Sequence, residues 1–234
     1  MESGCAVAES SRGGVVATRV IASTLGVIAG MSGLDHGFFE ALHGNSATPG
    51  FFIQAIGPAQ RMWLYGTEDA FTIVPNFLVT GVCAMILGAV VISWSAGFID
   101  RAYGSRVLLS LGALLFLVGG GVALVGFVGL CWAVSRRIGR ASQESQARPQ
   151  HGVQELAARI WAICLAASVV LVSFALEIAI TGFVPGVTNP VQVQLTCWSL
   201  LAAMLVLLLI AILGGSAHDA QRRSTPEIAP NAIR

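Results

Sequence analysis

In the run GLDHGFFEALHGN, Gly33 to Asn45, two histidines and two acids follow directly on an apolar stretch. Continued as a helix at about 100° per residue from Gly26, the run puts His36 at about −80°, Glu40 at about −40° and His43 at about −100°, with Asp35 opposite at about 180°. A histidine, a glutamate four residues on and a second histidine three further therefore share one flank. Helical side chains at this spacing can converge on one metal ion or exchange a proton. Other apolar segments bring two more polar groups to the same depth. Asn76 follows Pro75 in FTIVPNFLVTG, where the proline breaks helical hydrogen bonding and the amide enters the outer leaflet. Glu177 in SFALEIAITGFVPG lies about six residues, roughly 9 Å, below the outer interface, and an acid inside a membrane span is costly and by default marks function. His36, Glu40, Asn76 and Glu177 make up a candidate outer polar cluster, with His43 beside it. The alternative is that these groups only satisfy one another, Glu177 accepting from His36 for example.

The elements that must position these residues are membrane helices. The chain has 234 residues, of which 55% are hydrophobic and only 11% charged, with a mean hydropathy of +0.78. Soluble domains carry about 25% charged residues, so most of this chain belongs in lipid. A crossing needs about 20 apolar residues, and segments 15–34, 71–97, 157–182 and 195–214 qualify plainly. The segment 107–134 would be about 42 Å long as one helix, too long for one crossing and short for two. The arginines decide its reading, because cytoplasmic flanks collect positive charge. If Gly119, Gly120 and Gly121 form a turn, the six-span arrangement leaves ten arginines inside (12, 101, 106, 136, 137, 140, 148, 222, 223 and 234) and only Arg61 outside. Five spans leave eight inside and three outside.

The predicted fold is thus all-α, a polytopic helical membrane protein of six transmembrane helices with a short helical hairpin at Gly119–Gly121. Residues 1–214 form one bundle with an extracytoplasmic loop at about 44–70, and 215–234 form a disordered cytoplasmic tail. The N- and C-termini are cytoplasmic, and the bilayer is the plasma membrane. Arg12 and Arg19 ahead of the first apolar stretch resemble a secretion signal, but that stretch runs on past Val27-Ile28-Ala29 and reads as an anchor. Residues 136–155 read as a polar cytoplasmic loop, and His151 and His218 as solvated. On the first helix, Arg19, Gly26, Gly30, Gly33 and Gly37 share one stripe, a seam of small residues that admits a second helix closely. Arg19 on that seam has Asp100 as its candidate partner at the inner end of the second span, or it snorkels to the headgroups. Outside the bilayer, Gln54, Gln60, Arg61, Glu68 and Asp69 are possible partners for the cluster. GFFIQAIG and RMWLYG read as an interfacial lid with Phe51, Phe52, Trp63 and Tyr65 at headgroup depth.

His36, Gly37, Glu40, Gly44 and Asn45, then VPNFLVTG (Val74 to Gly81), then LVGGG (Leu117 to Gly121) occur in order. Across about residues 25–135 the chain resembles an uncharacterised family of small polytopic bacterial and archaeal membrane proteins with HGxxE...GN, VPNxLVTG and GGG motifs. That resemblance implies a membrane protein and supplies no substrate. Its members carry a Gln-type residue where His43 stands, and prolines after the glycine run where this chain has Val122 and Ala123.

No GxSxG, HExxH or phosphate loop leading into GK[ST] is present, and the five cysteines show no metal spacing, so an enzyme is disfavoured. A net charge of +1 gives no basis for nucleic-acid binding. The leading reading is an integral membrane protein with no assignable catalytic activity, an accessory, sensor or assembly component that faces the lipid bilayer and a membrane-protein partner. The alternatives are a small proton- or cation-coupled transporter or channel, and a metal- or haem-binding protein; the sequence names no cofactor. The arginine pattern predicts that a cysteine placed at Ala47 reacts with an impermeant thiol reagent from the outer face only. Labelling confined to the cytoplasmic side would overturn the orientation.

Overall fold

The computed structural model describes residues 16–138 and 152–224. Cys5, Arg12, Arg140, Arg148, His151 and Arg234 lie outside the described residues. Among the described residues, six helices, α1 (Val16–Ala41), α2 (Phe77–Gly97), α3 (Gly104–Leu117), α4 (Leu124–Ser135), α5 (Gly152–Thr181) and α6 (Pro190–Ser224), are accompanied by a two-stranded antiparallel sheet of β1 (Phe52–Gln54) and β2 (Asp69–Phe71). Four stretches are long and apolar enough to cross a membrane: Ala17–Ala41, Phe77–Gly97, Glu155–Thr181 and Pro190–Arg222.

Helix α1 is the hub, packed against α2, α4, α6 and, more lightly, α3, while α5 pairs along its length with α6. Its glycine stripe explains how so many neighbours fit. A Cβ at Gly30 would meet the Gly88 carbonyl and Ile92 of α2, and one at Gly37 would meet Met85 and the Gly81 carbonyl. Gly81 and Gly88 are glycines for the reciprocal reason, facing Ala41 and Leu34. Gly33 receives Leu115 of α3, and Gly26 receives Ser95. Small residues at i and i+7 on both helices bring the backbones into van der Waals contact where lipid supplies no hydrophobic drive.

Several boundaries differ from those read in the sequence. Helix α1 runs on to Ala41 and closes with Gly44 at φ 70°, the left-handed ending that glycine adopts without strain. At 26 residues it is about 39 Å long, more than the roughly 30 Å of a bilayer core. Helix α2 starts at Phe77 rather than 71, because Pro75 cannot donate and Asn76 caps the helix by accepting from the Val79 N–H. Within the stretch read as a lid, GFFIQA holds a strand: Phe52 pairs with Phe71, Ile53 with Ala70 and Gln54 with Asp69. The 107–134 segment breaks at Val118–Ala123, with Gly119 at φ 98° and Gly121 at φ 84°.

The tail is also corrected. Residues 215–224 continue α6, and only 225–234 lie outside the described residues. Gly214 packs on Ala157 and Gly215 on Ile21, so α6 passes close to both α5 and α1 there. His218 is half-buried beside the Trp161 ring at 5.9 Å, not solvated. Asp219 is 1% exposed, and its carboxylate accepts from the Ala17 N–H (3.0 Å), the Thr18 N–H (2.9 Å) and the Thr18 hydroxyl (2.6 Å). These are the orphan donors of the first turn of α1, at the positive end of its dipole, capped by an acid from another helix. Asp219→Ala leaves them unpaired and is expected to cost about 1–3 kcal/mol, read as a lower melting temperature of the purified protein. An unchanged melting temperature would show that this contact does not hold the helix ends together.

Candidate functional site

At the opposite end of α1, His36 and Glu40 stand one turn apart and face the break between α3 and α4. His36 is 5% exposed and Glu40 0%. The His36 Nε2 lies 2.6 Å from Glu68 Oε2, with both side chains largely buried. Glu68 is brought there by the sheet: it immediately precedes β2, and its carbonyl accepts from the Ala55 N–H just beyond β1. The other ring nitrogen, Nδ1, and both Glu40 carboxyl oxygens are buried and accept or donate nothing among the described residues. The Thr80 hydroxyl lies beside Glu40 but bonds elsewhere, to Thr72 Oγ1 (2.6 Å) and to the Val118 carbonyl (2.7 Å). A buried carboxyl group with no partner is expensive, and such groups concentrate where a protein does something.

The glycine turn is the roof of this site. A Cβ at Gly119 would overlap the Glu40 carboxyl, and one at Gly121 would overlap the His36 ring. The roof is sewn to the loop between α1 and α2 by the Gly119 N–H to the Phe71 carbonyl (3.0 Å), the Ile73 N–H to the Leu117 carbonyl (2.9 Å) and the Val122 N–H to the Asp69 carbonyl (3.3 Å). Trp63 fastens the loop on the other side, its indole N–H donating to the Ala179 carbonyl at 2.8 Å and its ring lying over Gly182.

The remaining candidates do not join the cluster. Glu177 is exposed on α5, and its side chain makes no hydrogen bond or ion pair among the described residues, so the acid that meets His36 is Glu68. Asn76 is occupied as a cap and donates to Asn45 Oδ1 at 2.7 Å. His43 lies past the end of α1, where the helical phase no longer applies. It stacks on Phe77 with ring centroids 4.2 Å apart, and its Nε2 lies 3.1 Å from the Ala55 carbonyl. The HxxxExxH flank is therefore not assembled, and no group of three His, Cys, Asp or Glu among the described residues could hold a metal ion. Arg19 lies at the far end, 3.7 Å from Asp100 with both side chains substantially exposed.

A cleft of about 370 Å³ opens beside His36, between that loop and the ends of α5 and α6; Trp63, Tyr65, Glu68, Asp69 and Trp198 contribute to its wall. Glu68 stands in the sequence as one of five polar loop residues with nothing to single it out. Gly119 and Gly121 read there as a turn, with no sign of what they cover. No protein family, curated protein or solved structure matches the chain.

Glu68 lies outside the spans. Burial pushes its carboxyl up, but the hydrogen bond and the charge of His36 outweigh burial and hold it below the usual glutamate range. A carboxyl depressed in the folded state contributes stability that is fully present above the unfolded pKa of about 4.3 and lost as pH falls through the lower folded value. Between about pH 6 and about pH 3, wild type should therefore lose more stability than Glu68→Gln. Parallel melting curves for the two proteins would remove this pair as a source of pH dependence.

Proposed function

We propose that the chain is a noncatalytic, six-span protein of a bacterial plasma membrane, an accessory or sensor component whose outer site binds a small ligand. The observation that carries the reading is the buried His36–Glu68 contact at the wall of the 370 Å³ cleft. It ties a membrane helix to the outer loop at a point where a ligand would touch both. Cavities of about 300–1,000 Å³ with a few convergent polar groups are the usual size of small-molecule sites. Occupancy would be felt by the loop, which hangs on Glu68, Trp63 and the glycine turn, and from it by a membrane-protein partner.

Six crossings are supported by the reach of the α3–α4 pair along α1. The turn touches Glu40, while the Cys131 thiol of α4 donates to the Ala22 carbonyl at 2.9 Å. Those points are 18 residues apart on α1, about 27 Å, close to the roughly 30 Å of hydrocarbon. The arginine pattern supports cytoplasmic termini. We likewise infer a likeness to uncharacterised membrane proteins with HGxxE...GN, VPNxLVTG and GGG motifs, which rests on those motifs.

A transporter needs a relay through the bundle. Among the described residues the buried acids and histidines are His36 and Glu40, with the largely buried Glu68, at one end and Asp219 at the other, and the remaining buried polar side chains are the hydroxyls of Thr18, Thr72, Thr80, Ser95, Ser135 and Ser168. Proteoliposomes of the wild type are accordingly expected to pass no more protons or potassium than empty vesicles. Native mass spectrometry of the protein taken from membranes is expected to show a bound small molecule that Glu68→Gln loses. A proton flux abolished by Glu40→Gln would overturn the reading in favour of transport.

A further inference from the structure

The walls of the cleft carry a particular chemistry. Trp63 and Tyr65 stand edge to face, ring centroids 5.6 Å apart and planes at 89°, so the edge of one ring rests on the face of the other and the two planes in the wall are perpendicular. The Trp63 indole N–H is already given to Ala179 and the ring packs over Gly182, so what Trp63 adds to the wall is aromatic surface rather than a donor. Trp198, 61% exposed on α6, supplies a third ring along the same wall. The charged groups of the lining are Glu68, Asp69 and His36, and no arginine is among them. Because His36 and Glu68 are bonded to each other, Asp69 leaves the lining net negative whether or not the imidazole carries a proton.

Perpendicular aromatic faces with a carboxylate nearby are the surroundings in which an organic cation is bound, held by ring quadrupoles and by charge while its alkyl groups stay out of water. We propose that the cleft takes a substituted ammonium group, carried by a free small amine or by the ethanolamine headgroup of a lipid; the inference rests on the reading of this cleft as a binding site. A metal ion does not suit it, since the aromatic rings offer no lone pairs and the carboxylates are only two. An anion would meet net negative charge with no basic partner but His36, which is engaged. The volume exceeds that of a bare ammonium ion and leaves room for the two- or three-carbon arm to which the group is attached.

The test is calorimetric titration of the full-length, delipidated protein in detergent with choline, with ethanolamine and with acetate at neutral pH. Saturable binding of either amine is expected, weakened tenfold or more by Trp198→Leu and by Asp69→Asn. Both side chains are exposed, so the two variants should melt as the wild type does. Repeating the choline titration in phosphatidylglycerol nanodiscs with and without phosphatidylethanolamine separates the sources. Competition by phosphatidylethanolamine assigns the site to a lipid headgroup, and its absence assigns it to a free amine. Binding that both variants leave unchanged overturns the proposal. Acetate binding that Trp198→Leu abolishes, with no amine binding, overturns the cation class but leaves the cleft a binding site. No saturable binding of any of the three overturns both.

Discussion

The turn between α3 and α4 closes over His36 and Glu40 only because two of its residues lack a side chain: a Cβ at Gly119 or Gly121 would occupy the space of the carboxyl or the imidazole, and both residues sit at positive φ. Much of the outer end depends on that closure. It excludes lipid from two polar side chains at the end of a membrane helix, and it brings the Gly119 and Val122 N–H groups to carbonyls of β2. Irregular backbone at membrane depth is tolerable where protein covers it, and here the loop and α1 do so. The Thr72 and Thr80 hydroxyls complete the cover by pairing with each other and taking up the Val118 carbonyl.

The same economy of side chains governs the bundle beneath. Glycines at 30, 37, 81 and 88 let α1 and α2 touch backbone to backbone, so α1 can also accommodate α3, α4 and α6. A bundle built around one crowded helix has its rigidity at the centre. The loop between α1 and α2 is fastened by the Glu68 contact, the Trp63 hydrogen bond, the strand-like bonds to the glycine turn, the His43–Ala55 contact and the burial of Ala55 and Ile56 against Phe39. A ligand that touches one of these points biases the loop only by its differential contact with the loop's alternative arrangements. At the far end Asp219 takes up the first amides of α1, so both termini of the central helix are secured by residues from elsewhere in the chain.

The sequence by itself determined the class of protein and much of its internal packing. Hydropathy marked four long apolar helices because runs of about 20 apolar residues suit a helix that satisfies every backbone polar group within itself, whereas barrel strands are shorter and alternate. The 100° periodicity placed the glycine stripe of α1 correctly, since a helical phase is a property of local geometry. It also brought His36 and Glu40 together on one flank. That phase stops short of His43, which lies beyond the helix end at Ala41. Asn76 differs from its expected role for a related reason: a residue after proline at a helix start serves its own backbone, here by accepting from the Val79 N–H.

Only the tertiary structure decided which partners meet. Depth along a helix says nothing about azimuth in the bundle, so Glu177 shared a level with His36 yet faces outward, while Glu68 arrives from a loop stitched into a small sheet. The Asp219 cap, the roof of glycines and the aromatic wall of Trp63, Tyr65 and Trp198 join residues far apart in the chain. Composition and period are local or averaged quantities, and they carry no record of such pairings. What the chain can bind depends on those pairings, because a cleft is made by the surfaces that happen to face one another.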